Sequence, residues 1–159
     1  MKIWRVGTET RTFGADDLSG KGSALYPGRW NDAGHSMVYC ARSVSLAMLE
    51  TTAHLNFSGL PLNRYLIEVR IPKPIWERRR VVAAADLPRT WDAIPAGRTS
   101  VQFGTQWLKD GRTALLCVPS AIVPEEQVVL INPRHGDAVK IVARSVRPVA
   151  YDRVIRNVD

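Results

Sequence analysis

Four side chains in this sequence have the right types to do chemistry together: Arg29, Tyr39, Glu50 and Ser120. A guanidinium forks onto phosphate oxygens, a tyrosine ring stacks on a flat heterocycle, and a partly buried carboxylate stabilises positive charge developing at a sugar carbon. Together they suit a nucleotide sugar whose glycosidic bond breaks through an oxocarbenium-like state. Three of them fall between residues 28 and 50. The fourth follows Pro119 at a strand end, where a serine is usually just a turn residue, and no Gly-x-Ser-x-Gly makes it a hydrolase nucleophile.

Local patterns say what must hold these groups. Residues 14–29 contain Gly14, Gly20, Gly22, Pro27 and Gly28 and predict a long, turn-rich loop. Residues 36–41 (Ser-Met-Val-Tyr-Cys-Ala) predict a strand buried on both faces. Ser43 is a good N-cap for a helix running to about residue 56. At 3.6 residues per turn Leu46, Leu49 and Ala53 share a face and Glu50 sits at its edge, which predicts a semi-buried carboxylate. Such a group needs a partner, and a salt bridge to His54 one turn on, or to a nearby Arg, is as good a reading as a catalytic one.

Elsewhere, residues 2–6, 62–71, 75–83, 113–118 and 127–132 read as strands, with a final strand pair at 139–143 and 149–155. Asp86 caps a short helix around Trp91, and residues 99–109 form a helix closed by Gly111, with Phe103 and Trp107 spaced as a core pair. Strands in both halves with helices in the middle predict an α+β fold with a mostly antiparallel two-sheet core and a few flanking helices.

With 159 residues, 45% of them hydrophobic and 23% charged, the chain reads as one domain over residues 1–159 that buries roughly 70% of its unfolded surface. The N-terminus lacks a signal-peptide core and no apolar run approaches the roughly 20 residues of a membrane span, so a cytoplasmic location and no membrane partner are expected. Cys40 and Cys117 sit in apolar runs and read as reduced, buried thiols. His35, His54 and His135 form no metal motif, so no metal is expected. Ser19-Gly20-Lys21-Gly22-Ser23 fails as a P-loop, because Gly22 follows Lys21 where a Ser or Thr belongs and no Gly stands at the motif's first position. What remains is a flexible loop whose Lys21 could close over an anionic ligand. A net charge of +7 points to an anionic partner, and the rival to an enzyme is a basic nucleic-acid-binding module built on Arg78, Arg79 and Arg80. That cluster reads better as a solvated edge, so no direct nucleic acid binding is expected.

Gly28-Arg29-Trp30-Asn31, then Val38-Tyr39, then Ser43-x-x-Leu46-Ala47 with Glu50, resemble the RES domain, the toxin component of RES–Xre toxin–antitoxin pairs. Val118-Pro119-Ser120 and Leu130-Ile131-Asn132-Pro133 resemble the same family's C-terminal signature. The resemblance implies an ADP-ribosyltransferase-like fold and a toxin that depletes cellular NAD with release of nicotinamide, causing growth arrest. NAD is then a substrate, and no cofactor is required. It implies that Arg29 holds the NAD phosphates, Tyr39 lines the nicotinamide side, Glu50 bonds the ribose hydroxyls and stabilises the transition state, and Ser120 orients the ligand or Glu50. Lys21, Asn31 and Ser43 would complete the NAD surroundings. It also implies an Xre-type helix-turn-helix antitoxin covering the active site. The acceptor stays open among water, inorganic phosphate and a protein side chain, which separates an NAD glycohydrolase or phosphorylase from an ADP-ribosyltransferase.

Overall fold

Strand β1, Lys2–Thr8, alternates Ile3, Arg5 and Gly7 on one side with Trp4 and Val6 on the other, and the remaining strands are assembled around it. In this computed structural model, which describes residues 1–53, 55 and 61–153, seven strands form one sheet. They are β1, β2 (Val38–Ala41), β3 (Arg64–Arg70), β4 (Arg80–Val81), β5 (Leu115–Pro119), β6 (Gln127–Ile131) and β7 (Val142–Pro148), in the spatial order β4-β5-β6-β2-β1-β3-β7. All neighbours are antiparallel except β4 and β5. The α+β, mostly antiparallel expectation holds. The expected two sheets are instead one, whose halves β4-β5-β6-β2 and β1-β3-β7 meet at a single register pair, Trp4 with Ala41.

Among the described residues four α-helices accompany the sheet: α1 (Lys21–Leu25), α2 (Val44–Thr52), α3 (Lys73–Glu77) and α4 (Arg98–Asp110). One face of the sheet buries Ile3, Val38, Cys40, Ile67, Val69, Leu115, Cys117, Val129 and Ile131 under Ile75 and Trp76 of α3. Both thiols lie in this cluster, and burial pushes Cys40 up to about 12. On the other face Leu116, Val118, Val128 and Leu130 pack against Trp30, Trp91 and Trp107, the last from α4. Beside them α2 lies over Ala41, Trp4, Val6 and Leu66.

Several local expectations give way to tertiary context. Residues 75–83 were expected as a strand, but Pro72 and Pro74 sit at the N-cap and second position of a helix start, where a fixed φ and a missing N–H cost nothing. The result is α3, and only Arg80–Val81 remains as strand. The helix expected around Trp91 is a single 3-10 turn at Ala84–Asp86 followed by turns. The C-terminal strand pair is one strand, β7, between 3-10 turns at Ala138–Lys140 and Tyr151–Arg153; residues 154–155 of the second expected strand lie outside the described residues. In α2 the buried pair is Leu46 and Ala47, while Leu49, expected inward, is 41% exposed. Its expected extension through His54 to residue 56 lies beyond Thr52 and partly outside the described residues. Among the described residues no helix is long and apolar enough to cross a membrane.

Glu68 on β3 is an acid inside a strand. Lys2, Arg70 and Arg144 close over it at 3.4, 2.6 and 3.0 Å and themselves remove its exposure. Hydrogen bonds from Arg144 and Arg70 hold its carboxyl down at about 2.

Candidate active site

Glu50, half-buried on the last turn of α2, meets Ser120, the first residue after β5. Ser120 is fully buried, and its Oγ donates to Glu50 Oε1 at 2.6 Å while accepting from the backbone N–H groups of Ile122 and Val123, both at 3.0 Å. The serine is therefore a turn residue and a carboxylate anchor at once. Its only proton goes to Glu50, which fixes one carboxylate oxygen and leaves Oε2 with no protein donor among the described residues. The partner first considered, His54, lies outside the described residues.

The second cluster is the loop before β2. Trp30 is 2% exposed, stacks on Trp91 at 6.0 Å and meets Phe103 edge-on at 6.1 Å. Gly104 of α4 permits this, since a Cβ there would lie 2.0 Å from the Trp30 carbonyl oxygen. With Trp30 pinned, Arg29 is held half-buried, and its Nη1 donates to the carbonyls of Trp91 and Ala93, both at 2.8 Å. Nε and Nη2 have no protein acceptor among the described residues, so the edge of the guanidinium that forks onto an oxyanion stays available.

Tyr39 and Asn31 lock the loop. The Tyr39 hydroxyl donates to Asn31 Oδ1 at 2.6 Å and accepts from Trp30 N–H at 3.0 Å. Burial holds the phenol well above its ordinary pKa, so it stays protonated and its proton stays on that bond. Asn31 is fully buried; its Oδ1 also accepts from Gly28 N–H, and its Nδ2 donates to the carbonyls of Ser23 and His35. Direct contact of Asn31 with NAD was expected; in the structure its side-chain oxygen and nitrogen are both bonded within the loop that carries Arg29. Gly28 presses against the same phenol, where a Cβ would sit 2.7 Å from the ring and hydroxyl.

The other two expected contacts fare differently. Ser43 is the N-cap of α2, as its type predicted: Oγ accepts from Leu46 N–H at 3.1 Å and donates to Glu126 Oε2 at 2.8 Å, so its proton is committed within the protein. Lys21 is exposed at the start of α1, a turn tied to β2 by Ser23 Oγ, which donates to the Met37 carbonyl and accepts from its N–H. Tyr39 and Ser120 lie on the sheet face that α2 covers, so both clusters share that face. A separate depression of about 780 Å³ along the outer side of α4, lined by Arg80, Gln102 and Gln106 among others, includes none of Arg29, Tyr39, Glu50 or Ser120; its location gives no reason to move the site there.

The carbonyl anchors of Arg29 and the Glu126 contact were not foreseen. Backbone acceptors carry no side-chain signature, and Glu126 stands 83 residues from Ser43 with no motif linking them. The basic run disperses: Arg78 pairs with Asp137 at 2.9 Å, Arg79 lies over the Trp76 ring at 4.3 Å, and Arg80 lies over Phe103 at 5.3 Å. Three cations with three separate partners make no continuous phosphate-tracking surface.

The RES domain family model matches residues 2–153. A protein of Sphingobium sp. (strain YBL2) named Prs ADP-ribosylating toxin is 54% identical over 155 residues, covering 97% of this chain and 96% of its own. Toxin Res of Yersinia enterocolitica is 36% identical over 151 residues, covering 95% of each chain. In three dimensions the fold is similar to a chain of the M. tuberculosis MbcT–MbcA toxin–antitoxin complex, with a TM-score of 0.68 over 96% of this chain and 87% of that one at 16% identity. The chain belongs to the RES domain family of toxins.

Proposed function

We propose that this toxin cleaves the nicotinamide–ribose bond of NAD and transfers the ADP-ribose to a protein. The observation that carries the bond cleavage is the 2.6 Å hydrogen bond from Ser120 to Glu50, which holds a half-buried carboxylate in one orientation. In this reading Glu50 Oε2 accepts from a ribose hydroxyl and its charge stabilises the oxocarbenium-like sugar as nicotinamide leaves. The open edge of the Arg29 guanidinium takes the pyrophosphate, and the Tyr39 ring flanks the flat base.

Transfer to a protein is favoured over hydrolysis or phosphorolysis by the likeness to a toxin named for ADP-ribosylating Prs, at 54% identity across nearly the whole chain. Prs is therefore the first acceptor to try. With NAD and purified Prs, mass spectrometry should find Prs carrying added ADP-ribose. Free ADP-ribose as the only product would replace the transferase by a glycohydrolase, and a phosphorylated product formed only with inorganic phosphate would replace it by a phosphorylase.

Glu50→Gln keeps the oxygen that accepts from Ser120 and removes the charge, so nicotinamide release should fall about 10²- to 10³-fold in a folded protein. Release near the wild-type rate would rule out the role of Glu50. The family also suggests an antitoxin of the Xre type lying over this site. The pair should co-purify from a two-gene expression, and an antitoxin that binds while leaving NAD cleavage unchanged would exclude a site-covering partner.

A further inference from the structure

The loop between β5 and β6 grips α2 at two points. Near its start Ser120 Oγ donates to Glu50; at its end Glu126 Oε2 accepts from Ser43 Oγ at 2.8 Å, the same hydroxyl that caps the helix by accepting from Leu46 N–H. The loop is itself closed, because Ser120 N–H donates to the Glu126 carbonyl and Glu126 N–H to the Val123 carbonyl, each at 2.9 Å. Ser43 and Glu50 are separated by two helical turns, about 10 Å of rise. A helix held at one point can pivot, whereas one held at two points that far apart is fixed in both rotation and axial position. The Glu126 charge beside the helix N-terminus adds a favourable interaction with the helix dipole.

We propose that Glu126 is a positioning residue for catalysis, acting through Ser43 and α2 to aim the Glu50 carboxylate. This rests on the reading of Glu50 as the group that stabilises the breaking glycosidic bond. A displacement of order 1 Å at a reacting group costs up to about a hundredfold in rate, and here it would be felt in turnover. Binding would be spared, because Arg29 is anchored on the Trp91 and Ala93 carbonyls and makes no bond to α2.

The test is nicotinamide release against NAD concentration, with the acceptor that supports release by the wild type, for Glu126→Ala, Glu126→Gln, Ser43→Ala and the double variant Glu126→Ala/Ser43→Ala. Glu126→Ala should lower kcat about tenfold with KM for NAD within about twofold, and Glu126→Gln, whose amide oxygen still accepts from Ser43, should stay within about twofold of wild type. The double variant should be no slower than Ser43→Ala, since both changes break one link. Should Glu126→Ala fail to fold, Ser43→Ala makes the same comparison from the other side of the bond. Wild-type kcat in Glu126→Ala, equal losses in the Ala and Gln variants, or multiplying losses in the double variant would each overturn the positioning role while wild-type release stands. Wild-type protein that releases no nicotinamide overturns the reading of Glu50, and the proposal with it.

Discussion

Ser120 uses one hydroxyl three ways, accepting two backbone N–H groups of its own loop and donating to Glu50. Ser120→Ala breaks all three contacts. It should cost about 2 kcal/mol of stability for the two loop amides, at about 1 kcal/mol for each neutral hydrogen bond, and about a tenfold loss of kcat for the freed carboxylate. Thermal melting and nicotinamide release read the two separately; unchanged turnover in the Ala variant would mean that Glu50 does not need its anchor. The half-buried placement of Glu50 was legible because helical periodicity is a local property. Its partner was not, since Ser120 stands 70 residues away and only the family likeness linked them. Asn31 was expected as a ligand contact through the family likeness alone. Its complete burial, with carbonyl and amide both bonded inside the loop, is not encoded in residues 28–31.

The elements that present Arg29 depend on close approach. Gly28 touches the Tyr39 phenol, so Gly28→Ala forces a Cβ into an atom 2.7 Å away in a site with no slack. Overpacking of this kind costs about 1–3 kcal/mol, and the shifted loop should also raise KM for NAD by moving the guanidinium. A variant that melts and binds NAD like the wild type would show that the loop has room to spare. Strands β1 and β3 were readable from alternation, β5 and β6 as short apolar runs and helix α4 from the 3.6-residue period, because each of these is a local pattern. Residues 72–77 were not, because two prolines that interrupt a strand also start a helix, and only packing of Ile75 and Trp76 into the core chooses between these. The two turns flanking β7 escaped for a similar reason: Val139 looks like a strand residue but is 86% exposed on its turn.

At the scale of the whole molecule, three cations from three strands are gathered around one buried acid. Glu68 gathers Lys2, Arg70 and Arg144, and its carboxyl titrates at about 2 rather than at its ordinary 4.5. A depressed carboxyl contributes stability that is fully present above the unfolded value and is lost as pH falls through the folded one. Glu68→Gln should therefore melt below the wild type at pH 7, and the gap should close between about pH 4.5 and about pH 2. A gap that stays constant across that range would mean the three cations contribute nothing through charge. The fold class was legible from the distribution of strands and helices. The merging of the two expected sheets was not, because it rests on a single pairing between Trp4 and Ala41.

That pairing makes α2 a splint. Its Leu46 and Ala47 are seated on Ala41 of one half-sheet, and its Val44 and Met48 lie with Trp4, Val6 and Leu66 of the other, so the helix spans a seam that the strands themselves barely close. The carboxylate proposed to break NAD is thus carried by a helix that packs on both halves. Any loosening between them would reach Glu50 through α2, while Arg29, seated on the β4-β5-β6-β2 side with Trp30, would keep its own footing. In this molecule, turnover and the joining of the two half-sheets are the same mechanical problem.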